Sequence, residues 1–446
     1  MMREPPFALL RQPQRMPLRG RRLLVLGLGD TGLSVARWAE AEGAKVRVAD
    51  TRPAPPRTFD GDVRLGGFQV SLLEGVDLVC ISPGLSLAQP LIDEARSRGM
   101  PVLGDIELFA WRNTAPVLAV TGTNGKTTVT ALAGHLLKTA GVDAEVAGNI
   151  SPPVLDALMK RPSPPAAWVL ELSSYQLETT WSLDARAATM LNLTEDHFDR
   201  YAGLADYGAA KARIFEGSGV QVLNRDDPVS LAMARPGREV VTFGLHAQAD
   251  FGVRDGFLIE GAHRLLAIER LPIHGAHNVA NALAACALAR SLGIPREALA
   301  AGLASFRGLP HRLELVRERG GVHWYDDSKG TNVGATIAAL RGLGRKAVLI
   351  LGGEGKGQNF APLREVVAQS AVAVLLIGRD APLIEKALKG LPSERCATLE
   401  AAVERAAGIA RHGEAVLLSP ACASFDMFRD YKHRGDVFAA AVRALP

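Results

Sequence analysis

Short strand-like runs recur along this chain at residues 23–26, 45–48, 78–82 and 102–103, each stopping at or just before a small or acidic residue. Ala/Leu-rich stretches with helical spacing separate several of them. That alternation predicts parallel strands joined by crossover helices. The pattern resumes at 117–120, 166–170 and 187–191, and again at 346–351, 372–377 and 415–418. An α/β chain of three domains is expected: Rossmann-like at 23–112, P-loop ATPase-like with a mainly parallel sheet at 113–308, and Rossmann-like again at 309–446. The 446 residues agree with that count at about 150 residues per domain. Residues 1–22 hold Pro5, Pro6, Pro13 and Pro17 and no periodic run. They read as a disordered tail, with Met16 as a candidate start residue and no evident secretory signal.

Open parallel sheets bind ligands beyond the carboxyl ends of their strands, so the residues there carry the candidate chemistry. The most informative run is Val120-Thr121-Gly122-Thr123-Asn124-Gly125-Lys126-Thr127-Thr128. A glycine-containing loop between strand and helix presents backbone N–H groups to phosphate oxygens. Lys126 can reach the terminal phosphates, and the Thr127 hydroxyl can hold Mg²⁺. The loop is one glycine short of the usual pattern, because position 120 is Val.

In the first domain, Gly27-Leu28-Gly29-Asp30-Thr31-Gly32 follows a strand, and Asp50-Thr51-Arg52 closes the next one. This resembles a dinucleotide fingerprint, although glycines that only allow close helix–strand packing would look the same. In the second domain the 166–170 strand ends at Glu171, a position suited to a magnesium ligand or simply to solvent. A polar cluster with His197 follows the 187–191 strand. Lys211 lies on a helix among apolar neighbours, where a snorkelling surface lysine is the plain alternative. Asn278 and Asn281 share one face of a later helix and suit an adenine edge, with N-capping as the competing explanation for Asn278. In the third domain three loops gather at predicted strand ends: 325–332, 352–357 and 419–424.

Composition narrows the class. Apolar residues make up 48% and charged residues 22% of the chain, as in ordinary soluble domains. The net charge of +4 comes from the first 22 residues, which hold six Arg and one Glu and leave the rest at −1. Nucleic acid is therefore not an expected partner. No apolar stretch is long enough for a membrane span. Four scattered cysteines give neither a zinc site nor a disulfide framework and suit a reducing cytoplasm.

Taken together, the motifs resemble the Mur ligases, the ATP-dependent amino-acid-adding enzymes of peptidoglycan synthesis. The match runs from about residue 23 to the end. The phosphate loop and His277-Asn278…Asn281 are shared across that family. Asp50-Thr51-Arg52, the 171–178 run Glu-Leu-Ser-Ser-Tyr-Gln-Leu-Glu, Asp327-Ser328-Lys329-Gly330-Thr331-Asn332 and the 419–425 run are similar to its D-glutamate-adding branch.

That resemblance implies the roles. Gly122, Thr123, Asn124, Gly125, Lys126, Thr127 and Thr128 would hold the ATP phosphates, Asn278 and Asn281 the adenine, and Arg312 and Asp327 would close on the nucleotide. Thr127, Glu171, His197 and Lys211 would serve two Mg²⁺ ions, with Lys211 carbamylated, and Lys126, Glu171, His197 and Lys211 would form the catalytic set. Thr31, Asp50, Thr51, Arg52, Ser82 and Asn149 would bind UDP-N-acetylmuramoyl-L-alanine. Thr331, Lys356, Ser424, Phe425 and Tyr431 would bind D-glutamate. A cytoplasmic monomer with no membrane or nucleic-acid partner is expected.

Three residues depart from the family pattern: Asp30 in the diphosphate loop, Gly330 where Ala is expected, and Ser151 where Gly is expected. The closer rival is a folylpolyglutamate-synthetase-like ligase. An NAD-binding oxidoreductase or nucleotide-sensing protein would leave two domains unexplained.

Overall fold

A computed structural model describes residues 5–446 of the chain. The first domain is a five-stranded parallel sheet, ordered β3-β2-β1-β4-β5, of β1 (Arg22–Leu26), β2 (Lys45–Asp50), β3 (Asp62–Leu65), β4 (Leu78–Ile81) and β5 (Val102–Leu103). β1 and β4 are apolar and almost wholly buried, as central parallel strands covered on both faces must be. The helix Asp30–Ala41 presses against the end of β1. A Cβ on Gly32 would lie 1.8 Å from the Gly27 carbonyl oxygen, so this glycine is needed for the close approach.

The central domain has nine strands: β6 (Val117–Thr121), β7 (Ala144–Gly148), β8 (Ala167–Glu171), β9 (Ala187–Met190), β10 (Val220–Asn224), β11 (Val240–Phe243), β12 (Phe251–Arg254), β13 (Phe257–Glu260) and β14 (His263–Ala267). Their order is β14-β13-β12-β11-β10-β9-β6-β8-β7. β6, which carries the phosphate loop, sits between β8 and β9, so Glu171 and the 191–197 loop emerge on either side of it. β12 to β14 extend the sheet as an antiparallel meander.

The third sheet runs β15-β16-β20-β17-β18-β19, with β15 (Glu314–Arg319), β16 (Val322–Asp326), β17 (Ala347–Gly352), β18 (Ala371–Ile377), β19 (Ser393–Arg395) and β20 (Ala415–Leu418). Only the β15–β16 pair is antiparallel.

Residues 5–22 correct the expectation of a disordered tail; residues 1–4 lie outside the described residues. Pro6–Leu9 forms a short 3-10 turn, and Phe7 and Leu18 join the core of the first domain. Arg15 donates to the Ala110 carbonyl at 2.5 Å. Phe7, Leu10, Met16 and Leu18 supply enough apolar surface to seat the segment despite its prolines. No helix among the described residues is long and apolar enough to cross a membrane.

Candidate active site

The carboxyl ends of β1, β2 and β4 open into a cavity of about 600 Å³. Its lining includes Thr31, Asp50, Thr51, Arg52, Ser82 and Asn149, all six residues expected at a UDP-sugar site. Asn149 comes from the central domain, so the cavity spans two domains. Asp50 is buried and fully engaged. It accepts from Leu28 N at 2.6 Å and from the Arg52 backbone and guanidinium at 2.7–2.9 Å. The Arg52 guanidinium holds its carboxyl well below the ordinary carboxylate range. Asp50 thereby fixes both the glycine loop and Arg52.

The phosphate loop is braced from the 191–197 side. Thr123 Oγ1 donates to the Thr194 carbonyl at 3.2 Å and accepts from Thr194 N at 3.0 Å. Asn192 Oδ1 accepts from Asn124 N at 2.9 Å. The helix Lys126–Thr139 starts at Lys126 with Gly125 in the left-handed region, φ 85°. A Cβ on Gly125 would sit 2.4 Å from Asn281 Oδ1, which places the Asn281 amide directly against the loop. Asn278 donates to the His274 carbonyl at 2.8 Å and accepts from Asn281 at 3.2 Å. The helix cap is Gly275, so capping does not account for Asn278.

Lys126 Nζ folds back onto the carbonyls of Gly122 (3.0 Å) and Thr123 (2.9 Å). Lys211 Nζ donates to the same Gly122 carbonyl at 2.8 Å. Lys211 is only 1% exposed, so it is no surface lysine. Burial, and then the charge of Lys126, push its ammonium well below the ordinary lysine range, against the pull of Asp196 and Glu171. Glu171 is buried too. Its Oε1 accepts from Asn149 Nδ2 at 2.7 Å, while Oε2 has no hydrogen-bond partner among the described residues. Thr127 and Thr128 lie in the first turn of the same helix.

His197 has φ 56°, in the left-handed region a non-glycine residue rarely adopts. Its Nδ1 pairs with the Tyr175 hydroxyl at 2.7 Å. Burial lowers its pKa, as do the cations Lys126, Lys211 and Lys356, while Asp196 opposes.

The third domain meets this edge. Burial lowers the pKa of the half-buried Arg312 guanidinium, against the pull of the Glu171 and Asp327 carboxylates. Asp327 accepts from Ser419 Oγ at 2.7 Å, and burial raises its pKa to about 7. Gly330 fits here because a Cβ would lie 2.6 Å from Ser419 Oγ and 2.7 Å from Asp327 Oδ2. Lys356, with φ 50°, lines a second cavity of about 220 Å³ together with Asp196, His197, Val333 and Gln358. Thr331, Ser424, Phe425 and Tyr431 do not line that cavity; Ser424 is buried and Phe425 is 65% exposed. The structure therefore brings the UDP-sugar set together as one cavity wall, and leaves the D-glutamate set divided.

Three contributors escaped the sequence reading. Lys329 sits with its ammonium 3.9 Å from the Tyr431 ring centroid, and burial lowers its pKa to about 8. Asn332 caps the helix Val333–Gly342 and donates to Asn124 Oδ1 at 3.1 Å and Asp196 Oδ2 at 3.3 Å. Both belong to the 327–332 motif and were open to notice there. Arg434 gave no signal, because it reads as one charge among several on a helix. It is fully buried and ties Ser328 to the Cys422 carbonyl, which joins the 327–332 and 419–425 loops.

Comparison with known proteins agrees with this architecture. Residues 21–104 match the family model described as Mur ligase MurD-like N-terminal domain, residues 120–289 the Mur ligase middle domain, and residues 311–422 the Mur ligase glutamate ligase domain. The UDP-N-acetylmuramoylalanine–D-glutamate ligase of Thiobacillus denitrificans is 54% identical over 462 residues, covering 96% of this chain and 98% of that protein. The protein of the same name in Aromatoleum aromaticum is 54% identical over 458 residues, with the same coverage. The crystal structure of UDP-N-acetylmuramate–alanine ligase from Thermotoga maritima shares the fold, with a TM-score of 0.62 and 21% identity over 95% of this chain and 99% of that one. With three consecutive domain matches and full-length identities of this size, the chain belongs to the Mur ligase family.

Proposed function

We propose that this protein is the ATP-dependent ligase that joins D-glutamate to UDP-N-acetylmuramoyl-L-alanine through an acyl phosphate, acting as a cytoplasmic monomer in peptidoglycan precursor synthesis. One observation carries the reading: Asn149 lines the first-domain cavity and also donates to Glu171 beside the phosphate loop. A UDP-linked substrate in that cavity can thus deliver its far end to the terminal phosphate of ATP. The curated relatives named above carry the same substrate in their names.

The roles proposed are those that the family resemblance implies. Gly122 to Thr128 cradle the ATP phosphates, Asn278 and Asn281 read the adenine, and Arg312 and Asp327 reach it from the third domain. Thr31, Asp50, Thr51, Arg52, Ser82 and Asn149 hold the UDP-sugar. Lys356, Thr331, Ser424, Phe425 and Tyr431 supply the D-glutamate site once the third domain closes.

Magnesium fits the residues present, since the orphaned Glu171 Oε2 is a buried anionic oxygen in want of a partner. Glu171, Thr127, His197 and Lys211 as its carbamate would hold two ions. The metal would neutralise charge on the phosphoryl group in transit. A carboxylate oxygen of the L-alanyl group takes that phosphoryl, and ADP leaves. The D-glutamate amine then attacks the carbonyl carbon, loses a proton and expels phosphate. Closure of the third domain keeps water from the acyl phosphate.

The test is hydroxylamine trapping. With ATP, Mg²⁺ and UDP-N-acetylmuramoyl-L-alanine but no D-glutamate, the native protein forms a hydroxamate. Lys126→Ala forms none while binding the UDP-sugar normally in isothermal titration. Equal loss of both would place the two pockets in one unit and refute the assignment.

A further inference from the structure

Asp30 stands between two cavities. It lines the cavity of about 600 Å³ beside Thr31, and on its other side a cavity of about 480 Å³ shared with Arg37, Arg57 and Lys160. A carboxylate in the first turn of the helix Asp30–Ala41 suits the helix dipole. It has the wrong sign for a diphosphate at the same helix end. The charged residues lining the larger cavity are Asp30, Asp50 and Arg52, two acids against one base. The Arg52 guanidinium is already matched by Asp50 at 2.7–2.8 Å and cannot also neutralise Asp30. Left so, the cavity would present a net negative wall to an anionic ligand.

Arg57 changes that balance. Its Nε donates to Asp30 Oδ1 at 2.5 Å. It comes from the run Pro53-Ala54-Pro55-Pro56-Arg57, which follows Arg52 directly. Three prolines limit the freedom this loop loses on returning to the glycine loop. Arg57 lines the smaller cavity and not the larger one, so it holds Asp30 from the side away from the ligand space. Gly29, next to Asp30, faces open space where a Cβ would touch nothing within 4 Å.

We propose that Arg57 is a positioning residue for the UDP-linked substrate, clasping Asp30 so that the glycine loop accepts a diphosphate. This rests on the reading of the larger cavity as the UDP site.

The experiment is titration of UDP into the full-length protein at low salt, for the native chain, Arg57→Ala, Asp30→Asn and the double variant. Arg57→Ala, with Asp30 unpaired, should bind UDP about twofold more weakly, the scale of an exposed ion pair. Asp30→Asn, with Arg57 freed, should bind about twofold more tightly. The double variant should return close to the native affinity, and all the differences should shrink as salt is raised. A double variant as weak as Arg57→Ala would overturn the clasp, because Arg57 would then act on the ligand itself. Native affinity in Arg57→Ala would overturn it as well. Failure of the native chain to bind UDP would overturn the cavity reading, and the clasp with it.

Discussion

Lys126 and Lys211 share one acceptor: the carbonyl of Gly122 receives both ammonium groups, at 3.0 and 2.8 Å. Two cations this close, with one of them fully buried, favour loss of a proton from the buried one. A neutral Lys211 amine can add to CO₂ and become a carbamate, an oxygen-bearing anion suited to Mg²⁺.

Lys211→Ala should therefore lose at least about 100-fold in turnover, the upper end of what even outer-shell partners of metal ligands cost. Acetate or formate should restore part of it, and UDP-sugar binding should persist. In the native protein, ¹³C-bicarbonate should give a carbamate carbon signal that the variant lacks. Near-normal turnover in Lys211→Ala would end this account of the residue.

Asn332 does two jobs, and substitution separates them. Asn332→Asp keeps the capping acceptor for Ala335 N, but loses the donor to Asn124 and sets a second carboxylate beside Asp196. Turnover should fall while the melting temperature barely moves. Asn332→Ala should also lose about 1 kcal/mol of stability with the cap. Full activity in Asn332→Asp would show that this contact plays no part in docking the third domain on the phosphate loop.

Removing residues 1–15 takes away the buried Phe7 and the Arg15 contact to Ala110. The truncated chain should be less stable by about 2 kcal/mol, the value of one buried aromatic side chain. It should retain its catalytic constants, because none of residues 5–15 lines the UDP-sugar cavity or the Lys356 cavity. A lower urea midpoint at unchanged slope is the expected result. An unchanged midpoint would restore the disordered-tail reading.

Folding raises Asp327 from the ordinary 3.8 to about 7. Between those values the folded state binds the extra proton. Its stabilisation is complete below about pH 4 and is lost as the pH climbs to about 7. Compared with Asp327→Asn, the native chain should therefore lose unfolding free energy across that window. Parallel pH profiles from denaturant titrations would show that Asp327 ionises freely in the fold.

The legible part of this protein was the part written locally. A glycine loop running into Lys126 declares a phosphate site within a few residues, and the apolar runs of β1, β4, β6, β8, β17 and β20 declare buried parallel strands. β15 was not legible, since four of the six residues in Glu-Leu-Val-Arg-Glu-Arg are charged and it pairs along one edge only. The β12–β14 meander likewise has short, half-exposed strands with no continuous run. Contacts between distant segments left no trace: Arg434 on Ser328, Arg57 on Asp30, and Phe7 in the first core depend on tertiary placement. Of the residues expected at a UDP-sugar site, Asp50, Thr51, Arg52 and Ser82 were legible because they close strands of one sheet, whereas Thr31, inside the first helix, and Asn149, after β7 of the central sheet, were implied only by the family resemblance. Of the residues expected at a D-glutamate site, Thr331, Lys356, Ser424 and Phe425 sit in loops and Tyr431 opens a helix, and no local pattern in the sequence says how they are placed relative to one another.

The most direct measurement is ADP release by the purified protein with ATP and Mg²⁺ against a panel of acceptors. The account predicts release only when UDP-N-acetylmuramoyl-L-alanine and D-glutamate are both present, with the dipeptidyl product seen by mass spectrometry. L-glutamate in place of D-glutamate should give little. Release supported by a folate and L-glutamate, or indifferent to the UDP-sugar, would contradict it.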